Sequence, residues 1–233
     1  LSAASFFSDA LAPNSIVAMF GAGLTTGSVF EVPVPLPTIL LGTKVVVKDS
    51  AGVERDAPLF IISPGQINYL MPSGTAQGTA TISVITNNVI TGYGQVLISN
   101  LAPGIFSANS SGTGVAAAYA IKVVGTNQIL QFLFEDGPGG KVPVPIDLGA
   151  PSDQVFVVLF GTGFRTNSGL GGVNVKINGT TVGVDYAGLS PDYVGLDQIN
   201  LKPLPRSLIG AGVSNIVITI DGKVVNTVQI AIK

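Results

Sequence analysis

The same polar triplet occurs twice in this sequence, as Gln66-Ile67-Asn68 and as Gln198-Ile199-Asn200. Residues two apart on a strand share a face, and amides both donate and accept hydrogen bonds. Such a pair can satisfy the backbone of a neighbouring loop, the reading that recurrence favours, or it can hold the hydroxyl groups of a ligand. Sugar sites of the second kind also use aromatic rings for stacking. With no Trp and five Tyr, that platform falls to Tyr69, Tyr93, Tyr186 and Tyr193. The candidate ligand-binding residues are Gln66, Asn68, Tyr69, Gln198, Asn200 and Tyr193.

Two other groups of residues suggest chemistry. Asp185, Asp192 and Asp197 offer carboxylates to Ca²⁺, but their spacing fits no EF-hand loop. Nothing in the sequence sets two of them across a cleft as a glycosidase pair. Gly112-Thr113-Gly114-Val115-Ala116-Ala117 matches G-x-G-x-x-A, with Glu135 at about the right distance. The preceding residues read as a polar loop and no βαβ alternation surrounds them, so the glycines are expected in a turn before a strand. No catalytic residue, metal site or cofactor is expected.

Composition narrows the chemistry further. The 233 residues include no His and no Cys. Imidazole acid–base catalysis, thiolate nucleophiles, disulfides and zinc–cysteine sites are therefore excluded. Lys and Arg number 11 against 13 Asp and Glu, for a net charge of −2, which makes a poor grip for nucleic-acid phosphates. Charged residues are only 10% of the chain, while 30 Gly and 15 Pro imply many short strands and turns. The longest apolar run, residues 16 to 24, has nine residues and two glycines, so no membrane span is expected.

The elements that must carry these residues are strands. Val173, Val175 and Ile177 alternate with polar positions, Ile216, Ile218 and Ile220 form a second period-two set, and Val228, Ile230 and Ile232 form a third. Asn178-Gly179 and Asp221-Gly222 are hairpin dipeptides. The fold class is all-β. The two halves repeat each other: Phe20-Gly21-Ala22-Gly23 matches Phe160-Gly161-Thr162-Gly163, the Gln-Ile-Asn triplets match, and Gln95 matches Gln229, at offsets of 140, 132 and 134 residues. Two related modules follow, residues 1–100 and 101–233, the second opening with an additional hairpin around Gly125-Thr126-Asn127.

The stretch Ala12-Pro13-Asn14-Ser15-Ile16-Val17-Ala18-Met19-Phe20-Gly21-Ala22-Gly23-Leu24 resembles the opening strand of IPT/TIG domains, which are immunoglobulin-like sandwiches. More specifically, Ala57-Pro58-Leu59-Phe60, Ser63-Pro64-Gly65-Gln66-Ile67-Asn68, Ala102-Pro103-Gly104-Ile105-Phe106 and Asp197-Gln198-Ile199-Asn200 resemble, in this order, an uncharacterised C-terminal domain of secreted proteins from Solibacter-type soil acidobacteria. The resemblance spans nearly the whole chain. Asn14 departs from it where that family has Gly, and residues 115 to 134 are longer and more apolar than its usual connection. The resemblance implies export to the cell surface or beyond, and two tandem immunoglobulin-like (IPT/TIG-like) β-sandwiches. It implies no reaction.

The first residues, Leu1 to Phe7, are apolar. A terminal strand can pair within its own sheet or complete the open edge of a neighbouring subunit. On the second arrangement Leu1, Phe6 and Phe7 would mediate self-association. The low charge fits that arrangement, because repulsion between copies is weak. The expected function is a non-catalytic secreted structural or adhesion protein, self-assembling into an extracellular filament by β-strand addition. The alternative is a carbohydrate-binding accessory module with polysaccharide as partner.

Overall fold

The computed structural model describes residues 1–191 and 193–233. They form antiparallel sheets, with only two short 3₁₀ turns, Leu170–Gly172 and Arg206–Leu208. The chain divides into two compact units, Leu1–Ala102 and Pro103–Lys233. The sequence reading placed the boundary between residues 100 and 101.

The first unit contains β1 (Ile16–Phe20), β2 (Thr43–Lys48), β3 (Glu54–Asp56), β4 (Leu59–Ile62), β5 (Gln66–Leu70), β6 (Gly78–Thr86) and β7 (Val89–Ile98). Its two sheets run β1-β5-β4 and β3-β2-β6-β7. Alternation sends Val45 and Val47 of β2, Ala80, Ile82 and Val84 of β6, and Ile67 and Tyr69 of β5 into one shared core. Each fully buried Val, Leu or Ile there contributes roughly 1.5–3 kcal/mol.

The N-terminal residues lie against β1. The Leu1 ammonium donates to Ala18 O at 3.1 Å. Ala18 N donates to Leu1 O at 3.0 Å, Ala3 N to Ile16 O at 3.0 Å, and Ser2 bridges Val17. Phe6 stacks on Phe20 with ring centroids 6.2 Å apart, and Phe7 is exposed. The backbone groups of Leu1 to Ala3 that a donated strand would offer a neighbour are thus spent inside their own unit.

The second unit contains β8 (Gly104–Ile105), β9 (Ala118–Val124), β10 (Asn127–Phe132), β11 (Phe134–Gly137), β12 (Gly140–Pro143), β13 (Gln154–Thr162), β14 (Val173–Ile177), β15 (Thr180–Val182), β16 (Val184–Leu189), β17 (Asp197–Leu201), β18 (Gly212–Ile220), β19 (Lys223–Val224) and β20 (Val228–Ile232). One sheet runs β10-β9-β13-β17-β16, with β8 also on β13. The other runs β15-β14-β18-β19, with β20 also on β18, and β11 and β12 form a separate hairpin. Asn178 and Gly179 have φ of 47° and 79°, and Asp221 and Gly222 47° and 78°, the left-handed geometry a two-residue hairpin turn requires.

The repeat seen in the sequence is a repeat of pairing. Phe20 of β1 stands opposite Gln66 of β5, and Phe160 of β13 stands opposite Gln198 of β17. The glycine after the second Phe has a definite packing role. A Cβ on Gly161 would run into the carbonyl oxygen of Gly104 and come within 2.6 Å of the Phe164 ring. At the first glycine, Gly21, the nearest atoms it would meet belong to the Leu24 side chain.

Candidate functional site

Within each triplet the amides bond to each other. Gln66 Nε2 donates to Asn68 Oδ1 at 2.9 Å, and Gln198 Nε2 to Asn200 Oδ1 at 3.1 Å. All four face away from the core, because the Ile between them faces inward. Among the described residues, Gln66 Oε1 and Asn68 Nδ2 make no further hydrogen bond, nor do their counterparts in the second unit. The triplet is a pre-braced amide pair beside a Phe.

The remaining candidates separate from it. Tyr69 is a core residue, 1% exposed, and burial pushes its hydroxyl pKa well up. The same period of two that turns Asn68 outward turns Tyr69 inward, so Tyr69 is not a ligand residue. Tyr193 is exposed on the loop before β17, with no hydrogen bond or ring contact to Gln198 or Asn200 among the described residues. The ring contact on that sheet face is between Tyr119 and Phe160, at 5.7 Å. Tyr186, opposite Asn200, donates its hydroxyl to Leu189 O at 2.6 Å.

Asp185 and Asp197 are not brought together. Asp197 is fully buried and accepts from Phe164 N at 2.8 Å, Arg165 N at 3.1 Å and Arg165 Nε at 2.8 Å. Burial raises its pKa even though Arg165 opposes the shift. Asp185 lies on the surface, 3.8 Å from Lys202, and Asp192 lies outside the described residues. No metal-binding group of three acidic side chains occurs among the described residues. The Gly112 segment is a turn: Ser107 Oγ accepts from Ser111 N and Gly112 N, and Gly112 O accepts from Asn226 Nδ2. Asn226 is buried and also bonds both Ile105 N and Ile105 O at 2.8 Å.

The Ser-Pro pairs ahead of the two triplets behave differently. Ser63 Oγ accepts from Gln66 N at 3.0 Å and donates to Gln66 O at 3.1 Å, closing a tight turn into β5. Between Ser190 and Gln198 the chain is five residues longer than between Ser63 and Gln66. Ser190 Oγ is buried with no hydrogen-bond partner among the described residues.

The arrangement richest in ligand-binding groups was not among the candidates. It is the solvent face of the sheet β3-β2-β6-β7, where the register lines up residues from all four strands. Asp56, Val46, Ser83 and Tyr93 form one row, and Glu54, Lys48, Thr81 and Gln95 form the next. Lys44 and Ile85 stand opposite each other beyond Val46 and Ser83, beside Ile90. All of these but Tyr93 and Gln95 line an open groove of about 430 Å³, and the register sets Tyr93 beside its Ser83 wall. Lys44 Nζ lies 3.2 Å from Asp56, and Lys48 Nζ 3.3 Å from Glu54. Exposed pairs of this kind add about 0–1 kcal/mol to stability. Their chemical value is that they balance, leaving ammonium donors and carboxylate acceptors in a groove of zero net charge. Thr81 and Ser83 add hydroxyls, Val46 and Ile85 an apolar floor, and Tyr93 a ring that is 80% exposed.

One wall of the groove is pinned from behind. Asp49, at the end of β2, accepts from Ala51 N, Val53 N and Ala76 N at 3.0 to 3.1 Å. It also accepts from Arg55 Nη1 of β3 at 2.6 Å. The Ala76 N–H is the largest influence lowering its pKa, which falls to about 2 despite burial, with Arg55, Val53 and Ala51 assisting. The clue in the sequence is the period-two spacing that puts Lys44 and Lys48 on one face with Val46 between them, and Thr81 with Ser83.

No protein-family model matches the chain, and no curated protein matches it. Among solved structures it is similar to SGBP-B of the Bacteroides ovatus mixed-linkage glucan utilization locus, in complex with a mixed-linkage heptasaccharide. The identity is 11% and the TM-score 0.37 over 97% of this chain, which spans 43% of that one. No helix among the described residues is long and apolar enough to cross a membrane.

Proposed function

We propose that the chain is a carbohydrate-binding accessory module of a secreted protein, with neutral glycan held in the groove on the solvent face of β3-β2-β6-β7. In this reading the two units are tandem immunoglobulin-like sandwiches of IPT/TIG type, and the chain is a relative of the acidobacterial C-terminal domain it resembles in sequence. What carries the reading is the combination beside one exposed ring of two hydroxyls, two ammonium groups and two carboxylates whose charges cancel. A sugar ring presents hydroxyls at its rim and C–H groups on its faces. The groove offers donors and acceptors to the rim, and Tyr93, Val46 and Ile85 to the faces. Charge balance favours neutral over acidic polysaccharides, because the carboxylates repel an anionic chain as strongly as the lysines attract it. The structural and filament reading has less behind it, since the N-terminal residues already pair with β1.

The test is affinity electrophoresis of the whole chain in gels cast with neutral polysaccharides (mixed-linkage β-glucan, xylan, mannan) and with polygalacturonate. A neutral polymer should retard migration, and the matching free oligosaccharide should relieve it. Unretarded migration in every gel, or retardation by polygalacturonate alone, would remove the reading.

A further inference from the structure

We propose that β10 is a pairing edge through which two copies of this chain associate as antiparallel strands; this does not depend on the glycan reading. Nearly every other sheet edge among the described residues is blunted in a way that hinders strand addition. The edge of β1 is taken by Leu1 to Ala3, β4 carries a bulge and a bridge to Val29, and β7 carries a bulge, Gly92 and Gly94. β3 is three residues long and reads Glu-Arg-Asp. β16 is bulged and holds Asp185, and β20 is flanked by bridges from Val115 and Ile146. β15 and β19 have three and two residues, and the β11–β12 hairpin carries Glu135, Asp136 and Lys141.

β10 lacks all of these devices. It has six residues in unbroken register with β9 and reads Asn-Gln-Ile-Leu-Gln-Phe, with no charge, Pro, Gly or bulge. Ile129, Leu130 and Phe132 are 54%, 57% and 61% exposed. Among the described residues its backbone bonds only to β9, so the N–H and C=O groups on its other side are open.

A row of open backbone groups calls for a strand, and the strand that suits this one is its own copy. Directly opposed residues of an antiparallel pair point to the same face. A two-fold axis through Leu130 therefore sets Leu130 against Leu130 of the second copy, Phe132 against Gln128, and Ile129 against Gln131. Each sheet then continues into the other with faces matched, and no like charges meet because the strand has none. A six-residue strand pair buries far less than the roughly 1,600 Å² of a standard interface, so the dimer should be weak and concentration-dependent.

Sedimentation velocity on the whole chain from about 10 μM to about 1 mM, the range suited to a small interface, is the test. The native chain should shift from monomer towards dimer across that range. Leu130→Lys sets two ammonium groups side by side on the axis and should raise the dissociation constant at least about tenfold. Phe132→Lys should act in the same direction and serves if Leu130→Lys does not fold by circular dichroism. Val217→Lys, at an exposed position of β18, should leave the dimer unchanged. A native chain that stays monomeric throughout, or a dimer indifferent to the β10 lysines, would overturn the proposal.

Discussion

Replacing Tyr93 with Ala separates binding from folding at the groove. The ring is 80% exposed, and among the described residues it makes no hydrogen bond or ring contact. Its loss should therefore change stability by no more than about 0.5 kcal/mol, the usual range for a surface substitution away from structural features. Its contribution to binding is larger. One ring face is roughly a quarter to a third of the 150–250 Å² that an aromatic side chain carries, or about 50 Å². At about 25 cal/mol/Å² its burial under a sugar stabilises the complex by about 1.3 kcal/mol. A further contribution of up to about 1 kcal/mol comes from the ring's electrostatics. Tyr93→Ala should thus weaken glycan binding roughly ten- to fortyfold, at about 1.4 kcal/mol per decade. Isothermal titration with an oligosaccharide of the retarding polymer measures this, and a thermal melt of the same sample checks the fold. Tyr93→Phe keeps the ring and should bind within about threefold of the native chain, a margin under 1 kcal/mol. Native-like affinity in Tyr93→Ala would show that no sugar lies on this ring.

Three further outcomes concern the scaffold. Asn226→Ala leaves Ile105 N, Ile105 O and Gly112 O without their partner in a buried place, which should cost about 3 kcal/mol and lower the melting of the second unit by roughly 10 °C, followed by calorimetry. Asp49 has its folded pKa at about 2, below its unfolded value of 3.8, so its stabilisation is complete above about pH 4 and is lost as pH falls towards 2. Urea midpoints taken across that window should fall for the native chain and show a shallower fall for Asp49→Asn. Gly161→Ala should destabilise by about 1–3 kcal/mol in chemical denaturation, because the new methyl meets backbone and ring rather than a movable chain end. Gly171→Ala, with open space around its Cβ, should not.

The strands were legible because each buries one face, which writes a period of two into Val173 to Ile177 and Ile216 to Ile220. The two hairpin dipeptides and the Gln-Ile-Asn repeat were legible for equally local reasons. Tyr69 was misjudged because aromatic character outweighed the parity that places it with Ile67. The groove escaped notice for a different reason. Its residues come from four strands spanning residues 44 to 95, and only the register puts Asp56, Val46, Ser83 and Tyr93 in one row. Each of its polar residues, read alone, looks like ordinary solvated surface. The part played by Asn226 was equally hidden, since its partners lie more than a hundred positions away.

The two Ser-Pro turns also bear on how the protein can be altered. In the first unit the hydroxyl of Ser63 locks the turn into β5 at both Gln66 N and Gln66 O, so chain length there is fixed by two bonds. In the second unit the longer connection has released Ser190 from that task, yet β17 still holds its register with β13 over Val158 to Gly161. Its entry is fastened at other atoms: Ser190 N donates to Leu196 O at 3.0 Å, and Thr162 Oγ1 to Gly195 O at 2.7 Å. Protein engineers can use that difference: a foreign peptide, epitope or tag belongs in the loop after Ser190, where the connection is already five residues longer, and not after Ser63.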